Sequence, residues 1–202
     1  MNLQVPESYF RRLARLYSRM DEAFSRVARL AGFQCRGCED NCCRSLFYHH
    51  TYLEYFYLKQ GLQTLDPGRR LALERLALDI SARTDEALAA GGPPRLMCPL
   101  NEAGRCGLYE YRPMICRLHG IAHRMRLPDG RILRGPGCAD FEARCASRGG
   151  EVMERTPFYQ DMADLEQALR RELGLNRKIR MTVARMISGP DLTAILQEGA
   201  TL

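Results

Sequence analysis

The residues of this sequence with the richest chemistry are its nine cysteines. The first group is Cys35-x2-Cys38-x3-Cys42-Cys43. Two thiolates separated by two residues can turn onto a single metal ion, which is why this spacing recurs in zinc and iron–sulfur sites. Neighbouring side chains such as Cys42 and Cys43 point apart in most backbone conformations, so one can serve a first site and the other a second. The residues between the thiols are polar and turn-forming (Arg36, Gly37, Glu39, Asp40, Asn41), as suits a ligand loop. The second group is Cys98-x7-Cys106-x9-Cys116, followed by Cys138 and Cys145. Neither group alone supplies four well-spaced ligands unless the first uses both adjacent thiols. A metal drawing on both groups would fasten two distant segments and so contribute to folding.

Metal is favoured over disulfides by compartment as well as spacing. Met1 to Arg11 contains no apolar signal-peptide core, and no apolar run approaches the length needed to span a bilayer. A cytoplasmic location is therefore expected, with no membrane attachment, and there thiols stay reduced. The odd cysteine count also argues against a fully paired disulfide framework. Length (202 residues), hydrophobic share (46%) and charged share (27%) are those of an ordinary globular protein. The net charge of +6 permits an anionic partner without requiring one.

Several elements are needed to position these thiols. Phe10, Leu13, Tyr17, Met20, Phe24, Val27 and Ala31 recur at alternating spacings of three and four, which predicts a long helix from Pro6 to about Ala31. Its stripe should pack within the chain, with a homodimer through this helix as the alternative. Thr51-Tyr52-Leu53-Glu54 reads as a capping box opening an aromatic-rich helix that stops at Gly61. Asp66-Pro67 opens a third helix with apolar face Leu73, Leu76, Ile80 and Ala87, ended by Gly91-Gly92-Pro93-Pro94. Cys98 to Cys106 reads as a tight loop or hairpin bringing two thiols together, and Tyr111-Arg112-Pro113 as the start of a helical turn carrying Cys116. Pro128-Asp129-Gly130 is a hairpin turn between 124–127 and 131–133. A further helix runs from Thr156-Pro157 to Leu173, stopped by Gly174, and a short one covers about Met181 to Ile187. The expected fold is α+β and mostly helical: a single domain over 1–202. In it an irregular β-hairpin or knuckle region surrounds a cysteine metal site, a core of 33–140 carries that site, and helices of 1–32 and 150–190 pack on the core.

The pattern Cys35-x2-Cys38-x3-Cys42-Cys43, Cys98-Pro99-Leu100, Cys106-Gly107-Leu108-Tyr109 and Arg112-Pro113-Met114-Ile115-Cys116-Arg117 resembles the CxxCxxCC, or YkgJ-type, cysteine-cluster family. Tyr-x2-Arg-Pro-x2-Cys-Arg is its most specific stretch, and the resemblance covers roughly residues 33 to 140. It departs at one point: three residues, Glu39 to Asn41, precede the Cys42-Cys43 pair where the family has two. The resemblance implies zinc or iron chelation by an eight-cysteine site: Cys35, Cys38, Cys42, Cys43, Cys98, Cys106 and Cys116, with Cys138 as the eighth. The bend Gly135-Pro136-Gly137 could aim Cys138. Cys145 reads as a free core cysteine, His49 and His50 as polar packing, and His119 and His123 as weaker candidates than any of the eight thiols.

Seven or eight thiols suit two tetrahedral zinc ions or one [4Fe–4S] cluster with extra ligands. Arg112, Arg117, Arg124, Arg126, Arg131 and Arg134 around Cys116 would offset the negative charge of either. Family association, not spacing, tips the expectation toward iron–sulfur. The expected role is redox, sensing or metal handling with an unknown protein partner. Alternatives are a structural zinc domain for protein or nucleic-acid partners, nucleic acid being the weakest, and a cluster-dependent enzyme related to lysine methylation. No nucleotide-binding glycine loop, Ser-His-Asp set or carboxylate pair marks a catalytic site.

Overall fold

Helix α1 (Glu7–Leu30) begins directly after Pro6, whose fixed φ and missing N–H suit a helix start. The computed structural model describes residues 4–35, 42–145, 151–189 and 192. Leu13, Leu16, Tyr17, Met20 and Val27 of α1 are buried, so the stripe lies inside the chain as expected. Helix α2 (Tyr52–Gln63) is capped by the Thr51 hydroxyl, which accepts from the Glu54 N–H at 3.3 Å. The remaining free N–H groups of its first turn go to a distant residue: Glu166, buried on another helix, accepts from the Tyr52 and Leu53 N–H at 3.0 and 3.1 Å.

Gly61 does not stop α2. The helix runs two residues past it, and the glycine instead makes room for the Tyr111 ring, which a Cβ would strike. Gly61→Ala is therefore expected to destabilise the protein by about 2 kcal/mol, because Tyr111 leads into the Arg112-Pro113 turn and cannot simply swing away. Urea denaturation of the variant measures this.

Helix α3 (Pro67–Ala89) has Asp66 as its cap, with the Arg69 N–H donating to Oδ1 at 2.8 Å. Its inner face is Leu73, Ala77 and Thr84, with Ile80 partly buried. Leu76, expected inside, is 45% exposed: the helix meets α7 (Val183–Ser188) along a narrower seam than a four-residue apolar face implies.

Strands β1 (Asn101–Glu102) and β2 (Arg105–Cys106) form a hairpin whose two-residue turn, Ala103-Gly104, has φ of 49° and 86°. Positive φ at both turn residues matches the twist of the strands. Helix α4 (Met114–Leu118) carries Cys116. Strands β3 (His123–Arg126) and β4 (Ile132–Gly135) form the second expected hairpin, and β5 (Met153–Glu154) joins β3 in parallel. Helices α5 (Ala139–Cys145) and α6 (Thr156–Leu173) follow; Gly174, at φ 69°, ends α6. One apolar core takes side chains from each of the seven helices α1 to α7 described here, so the fold is a single mostly helical α+β domain, 58% helix and 9% strand. No helix among the described residues is long and apolar enough to cross a membrane.

Candidate metal centre

Cys42 and Cys43 sit on a single 3₁₀ turn, and the chain is stitched to the second cysteine group immediately beside them. The Cys98 N–H donates to the Cys43 carbonyl at 2.8 Å. From there the β1–β2 hairpin carries Cys106 back beneath Cys98: the Asn101 N–H donates to the Cys98 carbonyl and the Gly107 N–H to that of Leu100. The expected tight closure of Cys98 and Cys106 thus exists as a true hairpin. Cys116 faces the same space from α4. Cys35, Cys42, Cys43, Cys98, Cys106 and Cys116 all line one cavity of about 1020 Å³. Cys38 lies outside the described residues.

These thiols feel one another. Desolvation pushes Cys98 up to about 12, and the Cys43 and Cys106 thiols beside it add to the rise. Cys116 is held well above the ordinary thiol value by desolvation first, then by Cys98, Cys106 and Cys43. Cys106 is raised by burial and by Cys43, with Arg112 and Arg117 pulling the other way. Within the adjacent pair, Cys42 gives its S–H to Cys43, so Cys43 ionises more easily and Cys42 resists. A set of thiols that suppress each other's ionisation is a set whose ionisation a cation would release together.

The donor chemistry fits a thiophilic metal. The spacing of the side chains is wider than a filled coordination sphere: among the described residues no three His, Cys, Asp or Glu groups stand close enough to share an ion. Cys138 stands off this wall. The Gly137 bend, φ 109°, packs against Ile121 and Phe141, so the Cys138 thiol caps α5 instead, accepting the Phe141 N–H at 3.4 Å. Cys145 is free and buried in the core, as expected. His119 lies on the cavity wall with its ring edge-on to Phe47 at 5.2 Å, whereas His123 bonds to the Ile121 carbonyl and packs on Gly135.

The arginines divide. Arg112 and Arg117 line the cavity, but both are tied to Asp21 of α1, at 2.8 and 2.5 Å. Arg117 is only 4% exposed. Its guanidinium also donates to the Arg112 and Glu110 carbonyls at 3.0 and 2.5 Å and lies 4.0 Å over the Tyr17 ring. The Tyr-x2-Arg-Pro-x2-Cys-Arg stretch is thus a clamp that fixes the Cys116 turn to α1. Arg124, Arg126, Arg131 and Arg134 lie on the β3–β4 hairpin, away from the thiols; Arg124 pairs with Glu154 and Arg131 with Asp129.

Three residues have places in the site that motifs alone do not give. Asp21 is one. Glu54 is another: it is buried, and its carboxylate accepts the Met114 N–H at 2.7 Å, capping the Cys116 helix, together with the hydroxyls of Thr51 at 2.6 Å and Tyr17 at 3.4 Å. The third is His49, which lines the cavity and is pinned by a backbone bridge to Met181. Its Nε2 is buried without a partner among the described residues. Burial lowers the His49 pKa below its ordinary 6.5, and nearby His50 lowers it further while Glu54 opposes the shift. The folded state thus holds it neutral, while the unfolded chain takes up a proton below 6.5, so this contribution to stability is intact above 6.5 and is lost as pH falls toward the lower folded value. His49→Gln should therefore flatten the fall in thermal stability between about pH 7.5 and 5.5, measured against the unsubstituted protein.

No family model matches the chain, and neither a curated protein nor a solved structure matches it.

Proposed function

We propose that this chain is a metal-binding protein whose cysteine cluster holds an iron–sulfur cluster, or zinc, in a redox, sensing or metal-handling role. The observation that carries the reading is the meeting of Cys42, Cys43, Cys98, Cys106 and Cys116, from segments more than fifty residues apart, on one cavity wall. Thiols this mutually desolvated are costly to ionise alone, and a bound cation removes that cost. Cys43, Cys98, Cys106 and Cys116 would form the inner set, with Cys35, Cys38 and Cys42 as the further candidates to complete it. Bound there, an iron–sulfur cluster supplies one-electron chemistry, and zinc supplies a fixed positive charge.

Protein purified without oxygen should be brown, with visible charge-transfer absorption and about four irons per chain. Colourless protein carrying stoichiometric zinc would replace the iron–sulfur assignment with the zinc one.

A further inference from the structure

The thiol wall is only one side of its cavity. Apolar side chains line it as well: Phe24, Leu46, Phe47, Ile80, Leu96 and Met97. A second hollow of about 320 Å³ shares Arg44, Ile80, Leu96 and Met97 with the first, so the two form one continuous groove. The charged groups along it are unbalanced. Asp21 is the sole carboxylate among the described lining residues, and Arg112 and Arg117 already hold it. Arg83 is paired with Asp79. Arg44, where the two hollows meet, Arg95 in the smaller and Arg105 in the larger are exposed, and none has an ion pair among the described residues.

We propose that this groove binds an amphipathic organic anion: an apolar chain lying along the Ile80–Met97 wall, with one carboxylate or phosphate head held by Arg44 and Arg95. Guanidinium groups match such oxyanions through paired N–H donors. Apolar walls with a few convergent polar groups are the usual build of a small-molecule site, and a volume near 1020 Å³ accommodates one. The proposal rests on the metal-centre reading for what the ligand's far end meets, which is the thiol wall; the binding itself does not depend on metal.

Titration calorimetry with decanoate and decyl phosphate as probes, decanol as the neutral control and inorganic phosphate as the headgroup control tests it, with metal content measured separately on the same samples. The expected result is saturable binding of both anionic probes, at least about tenfold tighter than decanol and weakened by added salt. Arg44→Glu/Arg95→Glu should lose that preference about tenfold or more, whereas Arg11→Glu/Arg15→Glu, with the same charge change on the exposed face of α1, should keep it. Circular dichroism confirms that both variants fold. Equal affinity for decanol, an unchanged Arg44→Glu/Arg95→Glu variant, or full competition by inorganic phosphate without benefit from the chain would overturn the proposal. So would binding of an acidic peptide with neither alkyl anion bound. Loss of metal with anion binding retained would sink the metal-centre reading and leave the groove standing.

Discussion

Arg117→Ala is expected to lose about 3–5 kcal/mol of folding stability, the largest effect of any single surface-distant substitution outside the apolar core. The side chain is almost fully buried and does several jobs at once. It neutralises Asp21, donates to the carbonyls of Glu110 and Arg112, and covers the Tyr17 ring. Removing it takes the donor from the part-buried Arg112 and Glu110 carbonyls and leaves Asp21 with only Arg112. Lysine should rescue little, because a single ammonium cannot span a carboxylate and two carbonyls in one plane. Urea denaturation at constant m-value is the measurement; a loss below about 1 kcal/mol would show that the clamp contributes no more than an exposed ion pair.

Glu54→Ala should cost about 3 kcal/mol by a different route. It orphans the Met114 N–H at the start of α4 and two hydroxyls, those of Thr51 and Tyr17. Glu54→Gln keeps an acceptor for Met114 and should lose less than half as much. Arg117 and Glu54 meet at Tyr17, since the guanidinium lies over its ring and the carboxylate receives its hydroxyl. The double variant Glu54→Ala/Arg117→Ala should therefore fall short of the sum of the single losses by roughly 0.5 kcal/mol or more. Both substitutions act on the turn that presents Cys116, so both should also lower metal retention without touching a thiol.

Most of the scaffold was legible before any coordinates. The α1 stripe, the Thr51 and Asp66 caps, the turn at Pro128-Asp129-Gly130 and the Gly174 stop are local signals, set by side-chain periodicity and backbone preference within a few residues. Gly61 was misread because a glycine that ends a helix and one that admits a neighbouring ring look alike in one dimension. Leu76 failed for a related reason: the period of a helix gives its face, whereas the width of the buried strip depends on what packs against it.

The candidate centre divides in the same way. The gathering of Cys98 with Cys106 was readable, because a hairpin is local. The stitching of Cys43 to Cys98 is a bond between distant segments, and the approach of Cys116 depends on Asp21, which carries no motif, and on Glu54, whose capping box gives no sign of its bond to the Met114 N–H. Counting arginines near Cys116 in sequence also misled. Two of the six reach the cavity, and those two are held by Asp21, while the four on the β3–β4 hairpin point their charge elsewhere. Cys138, three residues past the end of β4, is turned to the start of α5, where its thiol accepts the Phe141 N–H.

Metal stoichiometry across a small cysteine series tests the central claim most directly. Protein isolated without oxygen, alongside Cys43→Ala, Cys116→Ala and Cys145→Ala, would be assayed for iron and zinc per chain. Stoichiometric metal is expected in the unsubstituted protein and in Cys145→Ala, whose thiol is buried in the core and does not line the cavity. Cys43→Ala and Cys116→Ala should lose most of that metal, and thermal stability with it. Metal-free unsubstituted protein, or undiminished metal in both cavity variants, would contradict that claim.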